Sequence, residues 1–363
     1  MKTYPLPMVP GPVRVPKEIL DIYQADFGSA DLEPEFLELY NQTEKNLQEL
    51  LNTSNRVVIQ TGEGMLALWS ALKSCLKEGD RVLSVASGIF GFGIADMAKM
   101  VGAEVQTIDI PYNQTIFNWN EIESALIEFR PKMITAVHCE TPSGTLNPLC
   151  LLGELKRKYN IPLLYVDAVA SIGGTEVLTD DWGVDLLLGG SQKCISAPPS
   201  MSFLAVSETA WEIIDQVGYQ GYDALKQFRN AQKNFYFPYT PYWHGIAALN
   251  KGVELLLQEG LDKVYESHDR AAAFCRQEIA SMGLNLYPAK SAIPSPTVTA
   301  VHVPDTISWE NLDRRFRQEG LVVGGNYGLL SGKVFRLGHM GTQVDMTLLK
   351  EVMQVIKKVI NNL

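Results

Sequence analysis

From residue 56 onward the chain alternates short, nearly continuous apolar runs with longer stretches whose apolar residues return every three or four positions. The runs at Arg56-Val57-Val58-Ile59, Val82-Leu83-Ser84-Val85, 105–110, 133–137, 163–166, 186–188 and 203–206 read as strands, most of them buried on both faces. The intervening stretches at 64–77, 91–101, 119–129 and 149–159 read as amphipathic helices. Strands separated by helices in this way predict a doubly wound α/β unit, its mainly parallel sheet flanked by helices.

After about residue 250 the rhythm changes. Helical patterns at 242–258 and 261–281 lead to an apolar run at 297–303, a helix near 308–319, a turn rich in glycine (Gly324, Gly325, Gly328) and a strand at 334–337. A last helix at 345–361 carries Met346, Leu349, Met353, Ile356 and Ile360 at alternating intervals of three and four. These elements predict a smaller C-terminal α+β domain. Residues 1–16 hold five prolines and one glycine, which favours an extended arm lying across another surface. The expected division is an arm at 1–15, a large domain at 16–250 and a small domain at 251–363.

The 363 residues are 46% hydrophobic and 20% charged, enough to build a large core. With 31 basic against 41 acidic residues the net charge is −10, and no basic block offers a footprint for nucleic acid. No apolar run reaches the roughly 18 residues of a membrane helix, and the proline-rich start lacks a secretory core. A cytoplasmic protein without membrane or nucleic-acid partners is expected. Five cysteines, Cys75, Cys139, Cys150, Cys194 and Cys275, form no CxxC, which argues against a disulfide framework or a zinc site. The five histidines show no metal-ligand spacing, and no metal is expected.

Open α/β sheets bind ligands at the carboxyl ends of their strands, and four such ends are unusual. Thr61-Gly62-Glu63-Gly64-Met65 lets backbone approach a ligand at the start of a helix. The spacing Gly62-x-Gly64-x-x-Ala67 fits a dinucleotide fingerprint, but the acid required about 20 residues on is absent. Val166-Asp167-Ala168-Val169 places an acid after an apolar strand, where it needs a cationic or proton-donating partner. Gly189-Gly190-Ser191-Gln192-Lys193-Cys194 holds a lysine among small residues, a setting that lowers an amine's pKa and frees it for attack on a carbonyl. The fourth end, His138-Cys139-Glu140-Thr141-Pro142-Ser143-Gly144, groups several hydrogen-bonding side chains. An acid and a lysine on neighbouring strand ends suggest pyridoxal chemistry.

Asp167-Ala168-Val169, Ser191-Gln192-Lys193-Cys194, Ala197-Pro198-Pro199, the run Cys139 to Leu149 and Arg336-Leu337-Gly338-His339-Met340-Gly341 together resemble the class V aminotransferases of fold type I. Within that class the chain is most similar to the alanine–glyoxylate, serine–pyruvate and pyridoxamine–pyruvate branch. The resemblance runs from Pro10-Gly11-Pro12 to the last helix. It implies a two-stage transamination with pyridoxal 5'-phosphate, in which alanine or serine gives its amino group to glyoxylate or pyruvate. Lys193 would form the Schiff base and carry protons. Asp167 would pair with the ring nitrogen, Val169 and Phe90 would pack on the ring faces, and Thr141 would contact the ring hydroxyl. Gln192 would bond on the phosphate side, near Glu63, Gly64 and Met65. Arg336 would grip the substrate carboxylate. Phe237-Pro238-Tyr239-Thr240-Pro241 matches the segment that a partner subunit contributes, so Tyr239 and Thr240 would serve the neighbouring site of a homodimer with a shared active site.

One departure alters the chemistry. Relatives that bind the phosphorylated cofactor usually carry Ser or Thr where this chain has Glu63, and a carboxylate there would face the phosphate. A glutamate at this turn resembles the pyridoxamine–pyruvate aminotransferases, whose vitamer lacks the phosphate. Against that stand Ser191-Gln192 and Thr240, which follow the phosphate-binding pattern, and Glu63 has a bland alternative role as a helix cap. Phosphate-bearing cofactor use is the first expectation, and the unphosphorylated vitamer is the alternative. A cysteine desulfurase is disfavoured because the one cysteine after residue 250, Cys275, falls in a predicted helix.

Overall fold

Hydrophobic runs and strands coincide closely in the computed structural model, which describes residues 4–363. The strands are β1 (Leu6–Met8), β2 (Arg56–Thr61), β3 (Arg81–Ala86), β4 (Glu104–Asp109), β5 (Met133–Val137), β6 (Cys139–Glu140) and β7 (Thr145–Leu146). They continue with β8 (Leu163–Asp167), β9 (Leu186–Gly190), β10 (Met201–Val206), β11 (Val298–His302), β12 (Leu321–Val323) and β13 (Val334–Gly338). Seven of these form the central sheet in the order β2-β10-β9-β8-β5-β3-β4.

Neighbours from β9 to β4 pair in parallel, whereas β10 runs antiparallel to both β9 and β2. The reversal follows from the connection. Parallel neighbours need a crossover, usually helical, and the segment Ser191–Ser200 between β9 and β10 contains no helix. That same short loop carries Lys193. Every residue of β5, β8, β9 and β10 is buried, which explains their mostly apolar sequences.

Helices cover both faces. Counted along the chain, the α-helices are α1 (Lys17–Leu20), α2 (Pro34–Leu50), α3 (Gly64–Cys75), α4 (Ile89–Met100), α5 (Trp119–Phe129) and α6 (Cys150–Lys158). Then follow α7 (Glu208–Val217), α8 (Ala231–Asn234), α9 (Trp243–Glu259), α10 (Leu261–Ser281), α11 (Trp309–Gln318) and α12 (Met346–Ile360). The hydrophobic pattern does not announce α2, because its inward face mixes Phe36, Tyr40, Leu47 and Leu50 with buried Glu44 and Asn46. Those polar groups are satisfied: Glu44 accepts from Arg56 and from the Val57 amide, and Asn46 donates to Asn250.

A second apolar cluster joins α10, α11 and α12 to β11, β12 and β13 and includes Leu6 and Met8. Within the proline-rich segment β1 is extended and pairs in parallel with β12, while residues 1–3 of the expected arm lie outside the described residues. In α12 the middle of the apolar stripe, Leu349, Met353 and Ile356, is buried, whereas Met346 is 39% exposed. Among the described residues no helix is long and apolar enough to cross a membrane.

Candidate active site

Lys193 stands just beyond β9, whose last residues must be small. A Cβ on Gly189 would lie 2.0 Å from the Phe203 ring, so that position admits only glycine. The lysine is half-buried. Burial lowers the pKa of its amine, the Arg336 charge lowers it further, and Cys139, Glu63 and Asp167 act in the opposite direction. Nζ donates to the Pro10 carbonyl at 2.6 Å.

Asp167 ends the neighbouring strand β8, where its backbone pairs in register with Leu188 of β9. Its Oδ1 accepts from the Val169 amide at 3.0 Å. Burial is the main cause that raises the carboxyl to about 6; the Glu63 charge raises it as well, and the Val169 amide and Lys193 pull it back. The amide and the lysine thus only partly offset the cost of burying the charged carboxylate.

Both side chains line one cavity of about 250 Å³. Glu63, Gly64, Met65, Phe90, Thr141, Val169 and Gln192 share its wall, so the structure brings together the site residues expected at the four strand ends and Phe90, which the resemblance alone suggested. A Cβ on Gly64 would come within 3.1 Å of a Val169 methyl, a contact tight enough to press on that side chain. Lys193 is the one basic side chain in this wall among the described residues.

Glu63 takes the N-cap of α3. One carboxylate oxygen accepts from the Met65 amide at 2.9 Å, and the other accepts from Gln192 Nε2 at 2.7 Å. It caps the helix and faces the cavity at once. Gln192 Oε1 is buried and accepts no hydrogen bond. The turn thus offers a carboxylate and an orphaned amide oxygen, which suit an O–H donor better than a phosphate.

Arg336 lies outside this wall, on β13. Its Nε donates to the Gly325 carbonyl at 2.8 Å and Nη2 to the same oxygen at 2.5 Å, while Tyr327 covers the guanidinium with its ring centre 4.9 Å away. Nη1 makes no hydrogen bond among the described residues. Tyr239 and Thr240 also lie outside: Tyr239 Oη accepts from the Thr61 amide at 3.1 Å, and Thr240 is exposed.

Two features of the site carry no assignment from sequence reasoning. Glu140 is fully buried beneath the start of α4, accepting from the amides of Gly91 at 2.8 Å and Phe90 at 3.3 Å. Burial raises it to about 7 against those two amides, with Asp167 raising it further. Its signal in the sequence is an acid at a strand end, in Cys139-Glu140-Thr141. The second feature is the pair Gly11 and Pro12, which line the cavity from the far end of the chain. Cys139 also faces the cavity, but burial raises its pKa and keeps the thiol protonated. Among the described residues no group of His, Cys, Asp and Glu could hold a metal ion.

The family model described as aminotransferase class-V matches residues 12–333. The pyridoxamine–pyruvate transaminase of Mesorhizobium japonicum is 33% identical over 318 residues, 86% of this chain and 80% of that protein. The alanine–glyoxylate aminotransferase of Callithrix jacchus is 32% identical over 335 residues, 88% of this chain and 80% of that protein. The crystal structure of ureidoglycine–glyoxylate aminotransferase from Bacillus subtilis superposes with a TM-score of 0.94 at 30% identity, covering 100% of this chain and 94% of that one.

Proposed function

The chain belongs to the aminotransferase class-V family, and on that premise we propose that it moves the amino group of alanine or serine to glyoxylate or pyruvate, using pyridoxal 5'-phosphate bound at Lys193. The observation that carries this reading is the opening of Asp167 and Lys193, on adjacent strand ends, into one small cavity. The fold, an α/β fold type I aminotransferase scaffold, supports it, as do relatives named for alanine, glyoxylate and pyruvate.

A pyridine ring bearing an aldehyde fits the residues present. Asp167 would hold the ring nitrogen, Val169 and Phe90 would supply apolar walls, and Thr141 a hydroxyl for the ring's own hydroxyl. When bound, such a cofactor supplies a carbonyl for an amine and a protonated ring that draws electrons from the substrate's α-carbon. Asp167 answers the need its environment creates: a cation beside it restores the charged carboxylate that burial disfavours. Lys193 keeps its amine poised by burial, first as nucleophile and then as carrier of the proton at the substrate Cα. Arg336 would orient the substrate carboxylate through its free edge while Gly325 fixes the other. Among the described residues a donor with a second carboxylate meets no further cation in the cavity wall, which favours a small neutral side chain.

A second reading rests on the turn at Glu63. Its carboxylate and the unpartnered Gln192 Oε1 suit the hydroxymethyl group of the unphosphorylated vitamer, as in pyridoxamine–pyruvate transamination. Neither Tyr239 nor Thr240 serves the cavity of its own chain, which supports a homodimer with shared sites.

The test is direct. Purified protein should show a visible cofactor band that borohydride bleaches while labelling Lys193, and it should transfer nitrogen from alanine to glyoxylate or pyruvate. Mass spectrometry of the cofactor released from native protein decides between the two vitamers. A protein that stays colourless with either vitamer, and fails both transfers, overturns the proposal.

A further inference from the structure

We propose that the N-terminal segment from Val9 to Gly11 is a positioning element for the reactive amine, the Pro10 carbonyl being the acceptor that holds Lys193 Nζ whenever that amine is free. This rests on the reading of Lys193 as the reactive amine.

The contact is intimate. Nζ donates to Pro10 O at 2.6 Å, the one hydrogen bond it makes among the described residues. A Cβ on Gly11 would lie 2.5 Å from Lys193 Cδ and 2.7 Å from Nζ, and Gly11 has a φ of +86° that disfavours any other residue. The segment is clamped on both sides of this point. Val13 donates its amide to the Gln192 carbonyl at 3.1 Å, beside the lysine itself. Gln343 Nε2 donates to the Val9 carbonyl at 2.9 Å and also to Gly338, where any Cβ would run into Val9 and Pro10. Backbone from one end of the chain is thus fixed against a side chain from the middle by a side chain from the other end.

The charged and titratable groups facing Nζ are Arg336 from β13, Cys139 from β6, Glu63 from the start of α3 and Asp167 from β8. Burial removes the water that would otherwise solvate an ammonium, so a fixed carbonyl replaces it. The proton on Nζ therefore has a defined resting place, and leaving it for a substrate carbon exchanges one bond for another. Weakening the Pro10 bond disfavours the ammonium and lowers the pKa of the amine.

Two variants test this: Gln343→Met, which removes the amide donor at nearly constant volume, and Gly11→Ala, which forces the segment and Nζ apart. In cofactor-free protein, labelling of Lys193 by an amine-directed reagent across pH, read by peptide mass spectrometry, reports the free amine without any turnover. Both variants should shift the labelling midpoint down by about one pH unit, a tenfold change in the reactive fraction at a given pH. Loaded with cofactor, both should lose kcat about tenfold while KM for the amino acid holds. If Gly11→Ala does not fold, Gln343→Met decides alone. An unchanged midpoint in a folded variant overturns the proposal, whereas failure of borohydride to fix any cofactor on Lys193 would overturn the reading beneath it.

Discussion

Gln192 Nε2 and Glu63 Oε1 lie 2.7 Å apart, tying the residue beside Lys193 to the carboxylate that caps α3. A helix N-terminus at the end of a strand is an anion site in many α/β proteins, and here a side-chain anion already occupies it. Two unit charges about 4 Å apart repel by roughly 4 kcal/mol at an effective dielectric of 20. Glu63→Ser removes the charge and keeps a capping oxygen. The variant should gain roughly several hundredfold in affinity for pyridoxal phosphate relative to pyridoxal, as measured by calorimetry on cofactor-free protein. Equal preference before and after the change would mean that Glu63 does not select the vitamer.

Glu140 predicts a pH dependence of stability. Burial lifts its carboxyl from an ordinary 4.5 to about 7, so the folded chain holds that proton more tightly than the unfolded chain. Stability is therefore complete below about pH 4.5 and falls as pH rises through about 7, by at most on the order of 3 kcal/mol. Asp167 adds a loss of the same sign between its ordinary 3.8 and about 6. Thermal midpoints of cofactor-free protein should drop from pH 5 to pH 7, and Glu140→Gln should flatten that slope. A variant with the wild-type slope would show that Glu140 does not titrate in this window.

Asp167→Asn should abolish most of the activity while leaving the fold intact. The substitution keeps an acceptor for the Val169 amide but removes the charge that would face a protonated ring. Leaving a buried cation without its partner costs about 3–5 kcal/mol, equivalent to a loss of 10²–10³-fold or more. Cofactor affinity of the wild type should also weaken as pH falls through about 6, where Asp167 takes up a proton; in Asp167→Asn that dependence should vanish. Titration by absorbance across pH 5–8 checks both outcomes.

The chemistry-bearing side chains at strand ends were legible because position along a buried strand fixes them locally. Asp167 must emerge where β8 stops, and Lys193 where β9 stops, whatever else the chain does. The direction of β10 was not legible, since an apolar run reads the same both ways and only the helix-free connection reverses it. Glu140 escaped because its work is done on amides of α4, 49 and 50 residues away, which tertiary packing alone brings to it. Pro10 escaped for a different reason: a backbone carbonyl leaves no trace in residue type, and its acceptor role exists only once Lys193 lies beneath it. The helix α2 shows the same limit, its buried Glu44 and Asn46 being paid for by partners at Arg56 and Asn250 that no local pattern reveals.

Arg336 is held in a way that a lysine could not reproduce. Nε and Nη2 both donate to the Gly325 carbonyl and the Tyr327 ring covers the guanidinium, which leaves its other edge as a flat pair of donors for the carboxylate the proposed role requires. A lysine has one ammonium, which can satisfy Gly325 or a substrate carboxylate but not both with planar geometry. Losing one charge-assisted hydrogen bond of about 1.5–3 kcal/mol corresponds to roughly 10–150-fold. Arg336→Lys should therefore lower kcat/KM for alanine within that range, chiefly through KM, with little change in thermal midpoint. Transfer from an amine without a carboxylate should be slow in the wild type and no slower in the variant, because the interaction removed is one that such a donor never makes. Equal losses for both donors would place the substrate carboxylate elsewhere and assign Arg336 to the support of the Gly325 turn.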